Sequence, residues 1–213
     1  MAAYIVMAII AYAIGSISFS VIISRKVAGF DVREKGSGNA GSTNMLRSVG
    51  KKAALMTLCC DILKGIVSIL IAIIVGLIAK ESANPAVLVQ IASICVVLGH
   101  TYPIFFEFRG GKGVATSLGI ILLVNWQIGL ICLVFALALM VVTRMVSLGS
   151  ISAAVLFPIL TLALPDHFLV EGNYFIFGIL LAAIVVFNHR TNIKRIIEGK
   201  ENKLSFKKKE ENK

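Results

Sequence analysis

The sequence predicts an all-α fold, a polytopic integral membrane bundle with seven transmembrane helices. Three observations support this class: 58% of the 213 residues are hydrophobic, only 15% are charged, and the apolar residues form long runs without surface alternation. An ordinary soluble domain has roughly 25% charged and about 45 to 50% apolar residues. The solvent of most of this chain is therefore lipid. A soluble Rossmann enzyme, a disulfide scaffold and a disordered chain are excluded.

The seven predicted helices correspond to seven apolar runs, near residues 3–24, 53–79, 85–105, 113–124, 127–143, 147–165 and 173–188. A spanning helix needs about 20 residues, because the hydrocarbon core is about 30 Å thick. The fourth run is too short to cross comfortably, so it is either a short span or a re-entrant element. We expect a single transmembrane domain, 1–204, and a disordered, charged cytoplasmic tail, 205–213.

The connections between the runs predict the orientation of the chain. Basic residues accumulate in alternate connections, beginning with Arg25 to Lys52 and ending with the tail after Arg190. Positive charge marks the cytoplasmic side of a membrane, so the N-terminus is predicted outside and the C-terminus inside. The second, fourth and sixth helices then begin at the cytoplasmic face. Their N-termini present free N–H groups and a positive dipole end, which favour anions.

The first polar segment, KGSGNAGSTNMLRSVGKK, covers residues 35–52. Its glycines match the G-x-G-x-x-G pattern, but the segment follows a membrane helix and no strand, which argues against a dinucleotide site. If the segment is helical, Thr43 and Asn44 share a face with Arg47. These groups suit an anion, whereas the alternative is a solvated basic loop.

The second polar segment, GHTYPIFFEFRGGKGVAT, covers residues 99–116 and opens a helix with a glycine-rich stretch around Lys112. Phe106 and Gly113 stand where a Walker A motif needs glycine and a hydroxyl residue, so nucleoside triphosphate hydrolysis is disfavoured. Flexible amides, a lysine and a helix start still suit a phosphate. Lys112 as an interfacial anchor is the alternative. For His100, a structural hydrogen bond is favoured over catalysis.

The third polar segment, FNHRTNIKRIIEGKENK, covers residues 187–203 and directly follows the last span. If the helix continues, His189 and Asn192 share a face. The preference for positive charge inside explains the arginines and lysines of this segment, but it does not explain the histidine and the amides. We therefore treat the segment as part of a site.

Two smaller features complete the candidates. Ser147 and Ser150 precede or open the sixth helix, where they suit either helix capping or donation to a phosphate. Asp61 and Lys64 are three residues apart within the second span and favour an intramembrane ion pair over a proton or ion relay.

Taken together, GSGNAGSTNMLR, GHTYPIFFEFRGGKGVAT and NHRTNIKRIIEGKE resemble the acyl-phosphate:glycerol-3-phosphate acyltransferase (PlsY) family. The resemblance runs from the first helix to about Glu201, with Ala40 where a proline is common. It implies a bacterial inner-membrane enzyme with its active site at the cytoplasmic face. Such an enzyme acylates the 1-hydroxyl of glycerol 3-phosphate from acyl phosphate, which yields lysophosphatidic acid and inorganic phosphate. This is the first acylation step of phospholipid synthesis.

With this resemblance in view, we assign hypothetical roles to residues of the three segments. The catalytic candidates are Lys112, His189, Ser37 and Arg47. The candidates for binding glycerol 3-phosphate are Ser37, Asn39, Thr43, Asn44, Arg47, His189, Asn192 and Arg195. The candidates for binding acyl phosphate are Gly110, Gly111, Lys112, Gly113, Thr116, Ser147 and Ser150. The two phosphates can be exchanged between these sets, and the general base is His189, less favourably His100, or a substrate phosphate.

The expected partners are the two substrates, membrane lipid and an enzyme that forms acyl phosphate; nucleic acid is not expected. We expect no cofactor and no metal site, because the acidic residues are few and scattered. An organic-phosphate transporter is the main alternative, since helical bundles with basic residues at their entrance also transport such compounds. A cytoplasmic-face scaffold is a weaker alternative.

Overall fold

A computed structural model describes residues 1–79, 82–164 and 168–204 of the chain, and the predicted tail, 205–213, lies outside the described residues. The regular structure of these residues is helical, which confirms the predicted class. The α-helices are α1 (Ala2–Gly15), α2 (Phe19–Ala28), α3 (Ser42–Ser48), α4 (Lys51–Ile78), α5 (Pro85–Thr101), α6 (Val114–Val124), α7 (Trp126–Thr143), α8 (Val146–Ala163), α9 (Phe175–Asn188) and α10 (Arg190–Ile197).

Five of these elements are long and apolar enough to cross a membrane: α1 with α2, then α4, α5, α7 and α8. Helix α9 becomes a sixth span if it is joined to α10, from which it is bent by 63°. The 11-residue α6 is shorter than a usual span. A polytopic membrane bundle is thus confirmed, whereas a count of seven stays a prediction because it requires α6.

The first predicted span is interrupted at residues 16–18, between α1 and α2. Lys64 compensates for the break, because its Nζ donates to the carbonyl oxygens of Gly15 and Ile17, each at 3.0 Å. Backbone groups at membrane depth need such partners. Asp61 Oδ1 lies 3.0 Å from the same ammonium group, which confirms the predicted ion pair.

The bundle packs its helices closely around a core that includes Met7, Ile69, Leu88 and Phe157. Glycines allow the closest approaches: a Cβ added at Gly99 would overlap the backbone of α1. Many leucine, isoleucine and valine side chains on the outer helix faces are exposed. An apolar exterior of this kind is what a lipid solvent favours.

Candidate active site

The three polar segments meet around one cavity of about 360 Å³. Its polar end is formed by α3, the loop before α6, the start of α8, and the segment from His189 to Asn202. Its apolar end continues between α6, α7 and α8, where it is lined by Leu118, Ile121, Cys132, Leu133, Ala136, Leu137, Met140, Ala153 and Ala154. One cavity therefore offers both charged groups and a place for a hydrocarbon chain.

The first segment is folded by the side chain of Asn44, which is buried in α3. Its amide nitrogen donates to the carbonyls of Val32 at 2.9 Å and Lys35 at 3.0 Å, and its oxygen accepts the N–H of Ser37 at 2.9 Å. Asn44 thus holds the loop in place while it faces the cavity. As predicted, Thr43, Asn44 and Arg47 lie on a helix.

A buried ion pair just before the first segment contacts the second segment. Arg33 donates to both carboxylate oxygens of Asp31 and, through Nη1, to the carbonyl of Phe106 at 2.7 Å. These hydrogen bonds lower the pKa of Asp31 to about 2. In the sequence Arg33 is one of several cations between the first two apolar runs, and its residue type alone does not indicate this positioning role.

The loop before α6 uses two of its predicted amide donors for its own fold. The N–H of Gly110 donates to the carbonyl of Thr101 at 3.1 Å, and that of Gly111 donates to the carbonyl of His100 at 3.0 Å. Gly113 has a φ of 84°, which favours glycine, and α6 begins directly after it. The first N–H groups of α6 lack intrahelical acceptors and remain suited to an anion.

Glu201 organises the third segment, although it is not one of the predicted site residues. Its Oε1 accepts from Ser147 Oγ at 2.9 Å and Asn192 Nδ2 at 2.7 Å, while its Oε2 accepts from Arg195 Nε at 3.0 Å. Those contacts lower the pKa of Glu201 despite the opposing effect of burial. They place α8 against α10 at the mouth of the cavity.

The two serines of α8 line the cavity, but neither caps the helix. Ser147 donates to Glu201, and Ser150 Oγ donates to the carbonyl of Val146 at 3.0 Å. The helix begins after Met145, without a side-chain cap. The capping interpretation is therefore wrong.

His189 lies between α9 and α10, where the chain bends. Its Nδ1 lies 2.7 Å from the carbonyl of Val185, so Nδ1 is assigned the proton and Nε2 the lone pair. Burial, together with the nearby charge of Lys112, lowers the pKa of His189 to about 4. The imidazole is thus neutral at pH 7.

The cations of the cavity outweigh its anions. Arg195 is paired with Glu201, and Asp61 is paired with Lys64. Arg47 and Lys112 form no ion pair with a carboxylate in the part of the chain that the structure describes. Burial lowers the pKa of Lys112 to about 8, which leaves it mainly charged at pH 7. Two positive charges are therefore left for bound anions.

Most of the predicted site residues line this cavity: Ser37, Asn39, Thr43, Asn44, Arg47, Lys112, Ser147, Ser150, His189, Asn192 and Arg195. Gly110 and Gly111 instead line a neighbouring cavity of about 320 Å³ on the other side of Lys112. Neither cavity includes Gly113 or Thr116, and the Thr116 side chain is buried. Asp61 and Glu201, which were not among the predicted site residues, also line the main cavity, as does His100, the less favoured candidate base.

Within the described residues, no three His, Cys, Asp or Glu side chains converge as a possible metal site. The polar end of the cavity instead holds amides, hydroxyls and cations. Such groups bind phosphate esters well.

Comparisons with known proteins identify the relatives of this chain. A family model described as "Glycerol-3-phosphate acyltransferase" matches residues 5–199. A protein of that name from Clostridioides difficile (strain 630) is 44% identical over 209 residues, which cover 96% of this chain and 97% of the relative. A second one, from Thermoanaerobacter sp. (strain X514), is 43% identical over 200 residues, which cover 94% of this chain and 95% of the relative.

Two crystal structures of PlsY, an integral membrane glycerol 3-phosphate acyltransferase, have the same fold. The glycerol 3-phosphate form superposes with a TM-score of 0.83 at 35% identity, covering 95% of this chain and 96% of that one. The lysophosphatidic acid form gives 0.81 at 33% identity, covering 95% of each chain. From its cavity, its fold and these relatives, the chain belongs to the glycerol-3-phosphate acyltransferase family of integral membrane enzymes.

Proposed function

We propose that this enzyme transfers an acyl group from acyl phosphate to the 1-hydroxyl of glycerol 3-phosphate. The products are 1-acylglycerol 3-phosphate and inorganic phosphate. The observation that carries the proposal is the cavity that joins an apolar channel to two cations, Arg47 and Lys112, which no carboxylate of the described residues pairs. One substrate is a small phosphate ester, and the other is a phosphate attached to a hydrocarbon chain, so both ends of the cavity are used.

The acceptor is supported by the relatives. The PlsY crystal structures were obtained in glycerol 3-phosphate and lysophosphatidic acid forms, the acceptor and the product of this reaction. In this chain, Ser37, Asn39, Thr43, Asn44, Arg47, His189, Asn192 and Arg195 are the proposed glycerol 3-phosphate site. Arg47 supplies the charge that a phosphate dianion requires.

The acyl phosphate donor is supported by the loop before α6. Lys112 is an ammonium group beside a helix start, which is an arrangement suited to a phosphate. Ser147 and Ser150 face the same cavity, and the apolar lining beyond them suits the acyl chain. Because the N–H groups of Gly110 and Gly111 donate to carbonyls at the end of α5, the contribution of these glycines to the site is the shape of the loop.

Acyl transfer requires the enzyme to position the two substrates more than to activate them. The hydroxyl oxygen attacks the acyl carbonyl carbon, the bond from that carbon to the phosphate oxygen breaks, and inorganic phosphate leaves. Lys112 and the first N–H groups of α6 offset negative charge on the donor as the tetrahedral intermediate forms. The hydroxyl proton goes either to Nε2 of His189 or to a substrate phosphate dianion, whose second pKa is about 6.

The membrane arrangement is part of the same proposal. Helices α6 and α9 complete a seven-span bundle with the N-terminus outside and the C-terminus in the cytoplasm of a bacterial cell, across its inner membrane. The site then faces the cytoplasm, where an acyl-phosphate-forming enzyme supplies the donor. Residues 1–204 act as one acyltransferase domain. Labelling of single cysteines introduced at the two ends of the chain, in intact and opened cells, tests the orientation.

Product analysis tests the reaction itself. Purified protein in lipid is incubated with palmitoyl phosphate and glycerol 3-phosphate, and mass spectrometry should detect 1-palmitoylglycerol 3-phosphate. Palmitoyl-CoA should give no product in place of palmitoyl phosphate. Uptake of glycerol 3-phosphate into proteoliposomes without any acylated product would instead support the transporter alternative.

A further inference from the structure

Beside the cavity, α4 and α5 bring three buried ionisable side chains together. Asp61 Oδ1 lies 3.0 Å from Lys64 Nζ and 3.4 Å from His100 Nδ1. The side chains of all three are at most 6% exposed. Lys64 also donates to the carbonyls at the break between α1 and α2. The position of the Asp61 carboxylate is therefore fixed from two sides.

His100 connects this cluster to the loop that carries Lys112. Its carbonyl accepts the N–H of Gly111 at 3.0 Å. Its ring packs against the Cα of Gly111 on the Nε2 side, so closely that a Cβ at Gly111 would overlap Nε2. Nδ1 of the ring thus lies against the Asp61 carboxylate, in ionic contact but without a hydrogen bond, while the Nε2 side of the ring packs on the loop.

The neighbouring carbonyl extends the same support. Thr101 accepts the N–H of Gly110 at 3.1 Å, so the end of α5 holds two consecutive loop residues. Lys112 follows them directly and reaches Asn192 across the cavity. A tilt of the His100 ring would therefore displace the backbone that aims Lys112.

We propose that His100 is a positioning residue for acyl transfer, which Asp61 holds in place so that Gly111 and Lys112 meet the acyl phosphate. His100 supports the loop and takes no proton in the reaction. The kinetic part of this proposal rests on the proposed function. The structural part, that the Asp61–His100 contact holds the loop, does not.

Paired amide substitutions separate the two sides of the ring. In His100→Asn the side-chain N–H lies near the place of Nδ1 and keeps the contact with Asp61, but the space that the ring fills beside Gly111 is left empty. In His100→Gln the N–H lies near the place of Nε2 and the contact with Asp61 is lost. Because both sides of the ring are needed, we expect His100→Asn, His100→Gln and Asp61→Asn each to raise the KM for palmitoyl phosphate about tenfold or more, with a smaller change in the KM for glycerol 3-phosphate. Ser93→Ala, a buried change two turns earlier on α5, is the matched control and should change neither.

Hydrogen exchange of the same variants, without substrates, tests the structural part. The peptide that contains residues 110–113 should exchange faster in all three variants than in the wild type, while peptides within α4 and α7 keep their wild-type rates. An inactive wild type with this exchange pattern would contradict the proposed function and leave the positioning role standing. The positioning role is overturned if any of the three variants keeps both the wild-type KM for palmitoyl phosphate and the wild-type exchange of this peptide, or if loss of protection spreads over the bundle.

Discussion

The ammonium group of Lys112 donates a hydrogen bond to the side-chain oxygen of Asn192, so the loop before α6 is joined to α10. Asn192 in turn donates to Glu201, which also holds Ser147 and Arg195. A single hydrogen-bonded chain thus links the second polar segment, the start of α8 and the third polar segment. The site is preorganised around the cation that we place at the acyl phosphate.

The pH dependence of kcat/KM should report the ionisation of Lys112. Burial lowers its pKa to about 8, so the group is charged below that pH and neutral above it. We expect kcat/KM for palmitoyl phosphate to fall as the pH rises through about 8, because kcat/KM reports the free enzyme. The corresponding fall in kcat should occur at higher pH, since a phosphate bound beside Lys112 favours the charged form of the amine.

Lys112→Arg provides the control for this assignment. A guanidinium group stays charged throughout the accessible pH range. The variant should therefore lose the alkaline limb, even though its different shape lowers the absolute activity. An unchanged limb in Lys112→Arg would assign the ionisation to another group.

His189→Asn distinguishes the two candidate bases. Asparagine keeps a donor for the carbonyl of Val185 but lacks the Nε2 lone pair. Since the pKa of His189 is lowered to about 4, a phosphate dianion with a second pKa of about 6 is the stronger base. We expect kcat to fall less than about tenfold, with the acid limb near pH 6 retained. A loss of about 10² to 10⁴ would instead indicate general base catalysis by His189.

Glu201→Gln should lower both stability and activity. The change removes the charge that accepts three hydrogen bonds, and hydrogen bonds to charged groups contribute roughly 1.5 to 3 kcal/mol. We expect an apparent Tm lower by about 5 °C in a thermal scan. Because the pKa of Glu201 is lowered in the folded protein, this stabilisation is present above its ordinary value of 4.5 and is lost in more acidic solution.

Glu198→Gln is the matched control for that substitution. Glu198 lies only three residues away, and its side chain is 38% exposed and faces Lys194 and Lys200. Exposed ion pairs contribute little, about 0 to 1 kcal/mol. Equal losses of stability and activity in the two variants would contradict the central role of Glu201.

Ala153→Phe should alter the preference for acyl-chain length. Ala153 lines the apolar end of the cavity, so a phenyl group there would occupy the space that we assign to the hydrocarbon chain. We expect KM to rise about tenfold for palmitoyl phosphate and less for an octanoyl phosphate. Val155→Phe, on the lipid-exposed face of the same helix, should change neither value. Equal effects on both chain lengths would place the acyl chain elsewhere.

The membrane class and most helix positions were predictable because hydropathy and length determine them. The predicted run 53–79 corresponds to Lys51–Ile78, and 127–143 corresponds to Trp126–Thr143. The interruption after Gly15 was not predictable, because the apolar run continues through it. It depends on Lys64, which reaches it from another helix.

The site was predictable where the residue type alone indicated phosphate binding, as for Arg47 and Lys112. It was not predictable where a charged residue has an ordinary sequence context. Glu201 looks like one charge in a solvated tail, and Arg33 looks like one cation in a basic loop, yet both are largely buried and hydrogen-bonded. Such roles depend on contacts between segments that are far apart in the sequence.

The central claim, acyl transfer from acyl phosphate at the Lys112 cavity, is tested most directly by measuring phosphate release. Purified protein in lipid is given palmitoyl phosphate with and without glycerol 3-phosphate, beside Lys112→Ala and Glu198→Gln variants. We predict release of inorganic phosphate that requires glycerol 3-phosphate, is lost in Lys112→Ala and is retained in Glu198→Gln. A folded wild-type protein that releases no phosphate from palmitoyl phosphate, or that consumes palmitoyl-CoA instead, would contradict the claim.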